Sequence, residues 1–341
     1  MERAMPFVRH ASLVVLFLVS IVAASGCLGP SETARPPPDD PRTQRDPPPP
    51  PAPDPQAGEV VRFLVLGDQG TGTPAQHRVA AAMLSVCEEL GCDFVVGTGD
   101  NIYEVGVTSH YDPQFLEKFE APYAAFDIPF YMTLGNHDNG LQREAWALGD
   151  FQVAYAQRTD RPSEKWQMPA RHYKHEHGAL AFFALDTYLI FGQRAALGKD
   201  PEGAAQAAWL ARELPARGAT WTFAHAHYPY ISNGQHGNAA PELRAWFEAT
   251  ICDKVDVFFA GHEHDLQWLA PVPSCGATHF VISGGGAKTR PLADPSRNEA
   301  YFQKGDTLGF VWASVEGETL ALRFYDGDAN LLHEGTIERA A

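Results

Sequence analysis

Apolar residues fall along the chain in short β-branched or aromatic runs, separated by longer stretches in which they recur at helical spacing. Runs of four to eight such residues bounded by turn formers read as buried strands, and recurrence at three and four residues reads as an amphipathic helix. On that basis strands are predicted at Val60 to Leu66, Asp93 to Val96, Phe130 to Leu134, Gly178 to Leu185, Thr220 to Ala224, Val255 to Phe259 and His279 to Ser283. Helices are predicted at about Pro74 to Leu90 and near 141–154, 204–216 and 241–250. Gly309 to Phe324 reads as two strands joined around Gly317. Strand–helix alternation implies an α/β domain with helices outside a largely parallel or mixed sheet.

The first 58 residues have a different texture. Arg3 and Arg9 precede an apolar stretch from Ala11 to Ala24, too short to span a bilayer and suited to an export signal. It runs into Ala24-Ser25-Gly26-Cys27, which resembles a bacterial lipobox, with Ala24 where Leu is commoner. Residues 30–58 hold 12 prolines. So proline-rich a segment forms neither helix nor sheet and reaches about 90 Å at ~3.1 Å per residue. The expected organisation is a signal peptide over 1–26, a lipidated Cys27 with its tether over 27–58, and one catalytic domain over 59–341. The expected location is that of an exported bacterial lipoprotein, periplasmic or at the cell surface, touching the membrane through Cys27 only.

Charge narrows the partners. A formal net charge of −16 argues against nucleic acid, which needs a basic face. An anionic substrate must then be drawn by local positive charge, and bound metal can supply it. Cys87, Cys92, Cys252 and Cys275 remain after Cys27, and three pairings are open. Cys252 with Cys275, flanking one strand–loop unit, and Cys87 with Cys92, flanking a helix end, are favoured as structural bridges.

Five loops carry the chemistry, each just beyond a predicted strand: Gly67-Asp68-Gln69-Gly70, Gly99-Asp100-Asn101-Ile102-Tyr103, Gly135-Asn136-His137-Asp138, Ala224-His225-Ala226-His227-Tyr228-Pro229 and Gly261-His262-Glu263-His264. Ligands collect beyond the carboxyl ends of strands in open α/β sheets, so these loops should meet in one crevice. Singly, an Asp after a strand is a turn residue and one His-x-His is a weak signal. Together they present carboxylate, phenol, amide and imidazole donors. That mixed set suits Fe, Mn or Zn rather than Ca, and a carboxylate can bridge two such ions.

In this order the five segments resemble the ligand blocks of the calcineurin-like metallophosphoesterases, and Tyr103, three residues after Asp100, resembles the small, tartrate-resistant purple acid phosphatases. The resemblance runs from Phe63 to about Gly286, with supporting stretches at Trp166 to Tyr173, Ala184 to Thr187 and Gly261 to Gln267. It implies a four-layer α/β/β/α sandwich with two mixed β-sheets. It implies that Asp68, Tyr103 and His264 bind a first ion, Fe(III), and that Asn136, His227 and His262 bind a divalent Fe, Zn or Mn, with Asp100 bridging. His137 and His236 are implied as catalytic residues that contact phosphate and assist the leaving oxygen. The activity implied is hydrolysis of small phosphate monoesters through a metal-activated hydroxide, with inversion at phosphorus. A diesterase or nucleotide hydrolase could use the same ligands, and a non-catalytic surface binding lipoprotein on this fold is the rival of another class. His225 is expected as a neighbour of the ligands or a solvent-facing ring, and His172, His175 and His177 as an exposed loop or strand with a rim contact to substrate as the other reading.

Overall fold

The computed structural model describes residues 60–141, 147–190, 201–214 and 221–339, so the expected export signal, Cys27 and tether lie outside the described residues. The first half of the described chain alternates as expected. Strand β1 (Val61–Leu66) leads to helix α1 (Pro74–Leu90), then to β2 (Phe94–Gly97) and the two-residue β3 (Phe130–Tyr131). Helix α2 (Gly149–Ala156) precedes β4 (Trp166–Gln167), and β5 (Tyr173–His177) turns tightly into β6 (Leu180–Ala184). Helix α3 (Pro201–Glu213), β7 (Thr222–His225), α4 (Pro241–Thr250) and β8 (Val257–Ala260) continue the alternation. The remainder is strand: β9 (Leu266–Leu269), β10 (His279–Ser283), β11 (Ala300–Lys304), β12 (Gly309–Glu316), β13 (Thr319–Asp326) and β14 (Leu331–Glu338).

The strands form two mixed sheets of seven, in the orders β14-β13-β12-β1-β2-β3-β4 and β11-β9-β10-β8-β7-β6-β5. Each contains a parallel block, β1 to β4 in the first sheet and β6, β7, β8 and β10 in the second. Antiparallel strands extend each block. Alternation along the strands explains the layering. Val61, Phe63 and Val65 of β1 face Phe182, Phe223, Phe259 and Val281 of the other sheet, whereas Leu64 and Leu66 face Val79, Met83 and Val86 of α1. In the second sheet Phe223 points to the inter-sheet core, while Ala224 and Phe258 meet Leu210 of α3 and Leu243 and Phe247 of α4. The result is the expected α/β/β/α sandwich. Phe63 sits at its centre, fully buried, stacked on Phe94 at 5.3 Å and edge-on to Phe182, Phe223 and Phe259. Truncating such a ring to alanine costs about 3–5 kcal/mol.

Cys87 is bridged to Cys92 and Cys252 to Cys275, the two favoured pairings. The strand expected to Leu134 stops at Tyr131, although Met132 N–H still donates to Gln167 O at 2.9 Å.

The histidines of β5 correct an expectation. His175 is buried and His177 half-buried, because the period of two that turns Tyr173 inward turns both of them inward as well. His175 stacks on Tyr131 at 3.8 Å and His177 on Phe94 at 3.7 Å, inside the sandwich rather than at a rim. His225, equally buried, joins them. Its Nδ1 lies 3.0 Å from Gly97 O, its Nε2 3.4 Å from His175 Nε2, and His175 Nδ1 lies 3.0 Å from His177 Nε2. A carbonyl only accepts, so His225 carries its proton on Nδ1. His175 and His177 then each donate from Nε2, and the chain of three neutral rings closes without a clash of protons. His172 stands apart, packed on Trp209 at 4.9 Å.

Burial holds these rings neutral, pushing His175 well below its ordinary value and His177 and His225 down to about 4. The unfolded rings take up protons first, near pH 6.5, so stability present above that pH is lost as pH falls toward 4. In chelator-treated protein the melting temperature should fall through this window. His177→Phe should cost about 1 kcal/mol at pH 8, since His175 Nδ1 loses its donor, yet give a shallower acid limb. A melting temperature that is flat from pH 7 to 4.5 in the parent protein would count against the neutral chain.

Candidate metal centre

The parallel blocks of both sheets end on one side, and the five loops come together there. Asp68 follows β1, Asp100 follows β2, Asn136 follows β3, His227 follows β7 and His262 follows β8. Asp68, Asp100, His262 and His264 all have positive φ, at 59°, 56°, 73° and 54°. A non-glycine residue in this region costs of order 1 kcal/mol or more, so each turn is held by its surroundings. Asp68 N–H donates to Gly99 O and His262 N–H to Asp68 Oδ2, tying the first sheet's loops to those of the second.

The donors gather at two points. Tyr103 Oη lies 3.0 Å from Asp68 Oδ1, 2.9 Å from Asp100 Oδ2 and 3.1 Å from His264 Nε2. One ligand atom each from Asp68, Asp100 and His264 lies within 4.8 Å of the others. At the second point His227 Nε2 lies 2.9 Å from Asn136 Oδ1, 3.2 Å from His262 Nδ1 and 3.4 Å from Asp100 Oδ2. The oxygen Asp100 Oδ2 therefore belongs to both.

These residues fit a pair of cations. A phenol has one proton and cannot satisfy two carboxylates and an imidazole together. With His227 Nδ1 donating to Thr98 O at 3.0 Å, the neutral ring turns a lone pair on Nε2 toward the acceptor oxygens of Asn136 and Asp100. A cation at each point replaces the missing protons. Electrostatics among the side chains alone carry the same message. Burial acts against charge on Asp100, but His227 and His137 outweigh it and hold that carboxyl well below its usual range. Burial likewise opposes charge on His227, yet Asp100 lifts it to about 9. The Tyr103 hydroxyl is pushed well above its ordinary value, first by burial and then by Asp68 and Asp100, so its ionisation calls for a neighbouring positive charge.

All seven expected ligands thus meet, and the two expected catalytic histidines sit beside them. His137 donates its backbone N–H to Asp100 Oδ1 at 2.9 Å, and its Nδ1 lies 2.5 Å from Glu104 O. That leaves Nε2 toward the centre, 3.9 Å from Asp100 Oδ2. His236 stacks on His262 at 4.0 Å and meets Arg290 Nη1 through Nε2 at 2.5 Å. A guanidinium only donates, so the His236 proton is on Nδ1. His225 is turned into the core and is not among the donors.

Three groups were not singled out from sequence. Asp138 is fully buried and accepts from the backbone N–H of Asn101, Ile102 and Gly135 and from Gln152 Nε2, at 2.7–3.1 Å, pinning the second loop to the third. Burial and the charge of Asp100 nonetheless push it up to about 6. Arg290 and Lys288, from the segment after β10, stand over His236 and Tyr103. Asp138 could have been suspected from its place in Gly135-Asn136-His137-Asp138; the two cations carry no local signal.

Close packing behind the donors is equally demanding. A Cβ at Gly135 would lie 2.1 Å from Asp100 Oδ1, and one at Gly261 would lie 2.5 Å from Asp68 Oδ2. Gly135→Ala should therefore displace Asp100 and lower bound metal from two ions toward one or none by elemental analysis, with the circular dichroism of the fold retained. Full metal content in that variant would show that the loop yields without moving the carboxylate.

The comparisons with known proteins agree with this geometry. The family model described as calcineurin-like phosphoesterase matches residues 61–266, which end just beyond the last of the five loops. Tartrate-resistant acid phosphatase type 5 of Sus scrofa is 26% identical over 319 residues, covering 83% of this chain and 88% of that protein. Purple acid phosphatase 3 of Arabidopsis thaliana is 29% identical over 292 residues, covering 80% and 76%. In fold, the chain is similar to the purple acid phosphatase PPD1 of yellow lupin seeds, with a TM-score of 0.61, 18% identity and coverage of 83% of this chain and 54% of that one. It is similar also to GAP50 of Plasmodium, the anchor in the inner membrane complex, with a TM-score of 0.66, 18% identity and coverage of 83% and 90%. With its two mixed sheets and converging donor loops, the chain belongs to the calcineurin-like phosphoesterase family and is a metal-dependent phosphoester hydrolase with a binuclear centre.

Proposed function

We propose that the protein is an exported, lipid-anchored phosphomonoesterase of the purple acid phosphatase type. Asp68, Tyr103 and His264 would hold a ferric ion and Asn136, His227 and His262 a divalent one, with Asp100 placed to serve both. The observation that carries this reading is the convergence of Asp68, Asp100 and His264 on the Tyr103 hydroxyl, all within 3.1 Å. A phenolate is a hard anionic donor and favours a trivalent ion.

When bound, the ion pair supplies positive charge for the phosphoryl oxygens and acidity to a water molecule. The chain's own groups orient and move protons. His137, fixed through Nδ1 and Glu104 O, presents Nε2 to the centre; protonated there, it donates to the departing alcohol oxygen. His236 offers Nδ1–H, and Arg290 adds a permanent charge beside it for a phosphoryl oxygen. Asp100 receives the His137 backbone N–H and so fixes that residue beside the centre. A cavity of about 280 Å³ opens beside Tyr103.

Asp100→Asn should lose bound metal and activity together, lowering kcat/KM at least a hundredfold on a small monoester. The parent protein should prefer mono- over diester substrates by a large factor in kcat/KM. Equal turnover of both would move the assignment to a diesterase or nucleotide hydrolase. Full turnover with full metal content in Asp100→Asn would falsify the two-metal site.

Export and anchoring rest on the N-terminal pattern through Cys27 and on the proline-rich 30–58 segment, and the two disulfides suit an oxidising compartment. Cys27→Ser should shift the protein from the membrane to the soluble fraction in a bacterial host. Unchanged membrane association of that variant would rule out Cys27 as the anchor.

A further inference from the structure

Lys288 has no part in the mechanism above, yet its position is tightly fixed. Its segment leaves β10 as Gly284-Gly285-Gly286 and is pressed onto the loop that carries Asp68. Gly286 N–H donates to Gly67 O at 3.1 Å, and a Cβ at Gly286 would lie 2.4 Å from that oxygen. Only glycine permits so close an approach. From this footing the Lys288 side chain, 28% exposed, places Nζ 3.6 Å from the centroid of the Tyr103 ring and 3.1 Å from Glu104 Oε1. An ammonium at that distance from a ring is a cation–π contact. Here the ring belongs to the phenol on which Asp68, Asp100 and His264 converge.

We propose that Lys288 is a positioning residue that tunes the metal centre, its ammonium setting how strongly the Tyr103 phenolate donates electrons to the ferric ion. The inference rests on the reading of Tyr103 as a ferric ligand. The ammonium lies nearer the ring than any ion bound at the far side of Oη, so it stabilises electrons on the phenolate more than electrons on the iron. The energy needed to move an electron from phenolate to iron rises. The oxygen donates less, and the ferric state is stabilised less relative to the ferrous one. Glu104, largely exposed beside Lys288, offsets part of this charge.

The test compares the parent protein with Lys288→Gln, Lys288→Arg and Glu104→Gln, each purified, loaded with iron and assayed for iron content. In Lys288→Gln the visible phenolate-to-iron band should move to longer wavelength and the reduction potential of the centre should become more negative. Lys288→Arg should keep both close to the parent values, and Glu104→Gln should move both in the opposite direction. An unshifted band and potential in Lys288→Gln overturn the proposal, even where KM rises, since that pattern makes Lys288 a substrate contact only. Absence of the band from iron-loaded parent protein overturns the ligand role of Tyr103 and this inference with it. The two failures differ in whether the parent shows a band.

Discussion

The Asp100 carboxylate is the interaction on which the centre depends. One oxygen is fixed by the His137 N–H, and the other faces both the Tyr103 hydroxyl and His227 Nε2. Asp100 is buried, sits at positive φ and has the bare Cα of Gly135 against it. Each condition is unfavourable for an isolated residue. They hold together because the neighbouring charges outweigh burial and because Asp138 clamps the adjacent loop. Local strain at such a point is sustained by the close-packed sandwich behind it.

That sandwich is what the apolar pattern encodes most plainly. The β1 strand alternates between two cores, and β2 and β8 are buried on both faces, as parallel strands covered by another layer must be. Sequence reading found these strands and the α1 and α4 helices almost to the residue. It missed β4, β9 and β11, whose two to five residues show no periodicity of their own, and the longer edge strand β14, which is mostly polar or exposed; all four become strands through their partners. The π-helical turn at Leu116–Glu120 was missed for a similar reason.

The candidate site was legible because its donors follow directly on apolar runs, so the strand ends already said where they would meet. Its supporting charges were not. Arg290 and Lys288 lie far along the chain from Tyr103 and Asn136, and their segment is brought across by the packing of Gly286 on Gly67 and by the bond from Arg290 N–H to His264 O. The β5 histidines were misjudged because imidazole is ambiguous: a polar ring at a surface, but a flat aromatic filler once its protons have partners. Phe94 and Tyr131 supply the faces, and Gly97 O terminates the hydrogen-bonded chain.

Because the donors are divided between the two sheets, the centre is also a cross-link. Asp68, Asp100, Tyr103 and Asn136 come from one sheet, and His227, His262 and His264 from the other. Asp68 and His264 belong to the same half-site yet are separated by most of the domain's sequence. A nascent or partly folded chain therefore offers no complete half-site, so full metal loading follows the docking of the sheets. Selection of the ions then falls to the solution in which folding is completed. Once bound, the ions would join the sheets at the side where these loops meet, so resistance to unfolding becomes a function of metal supply.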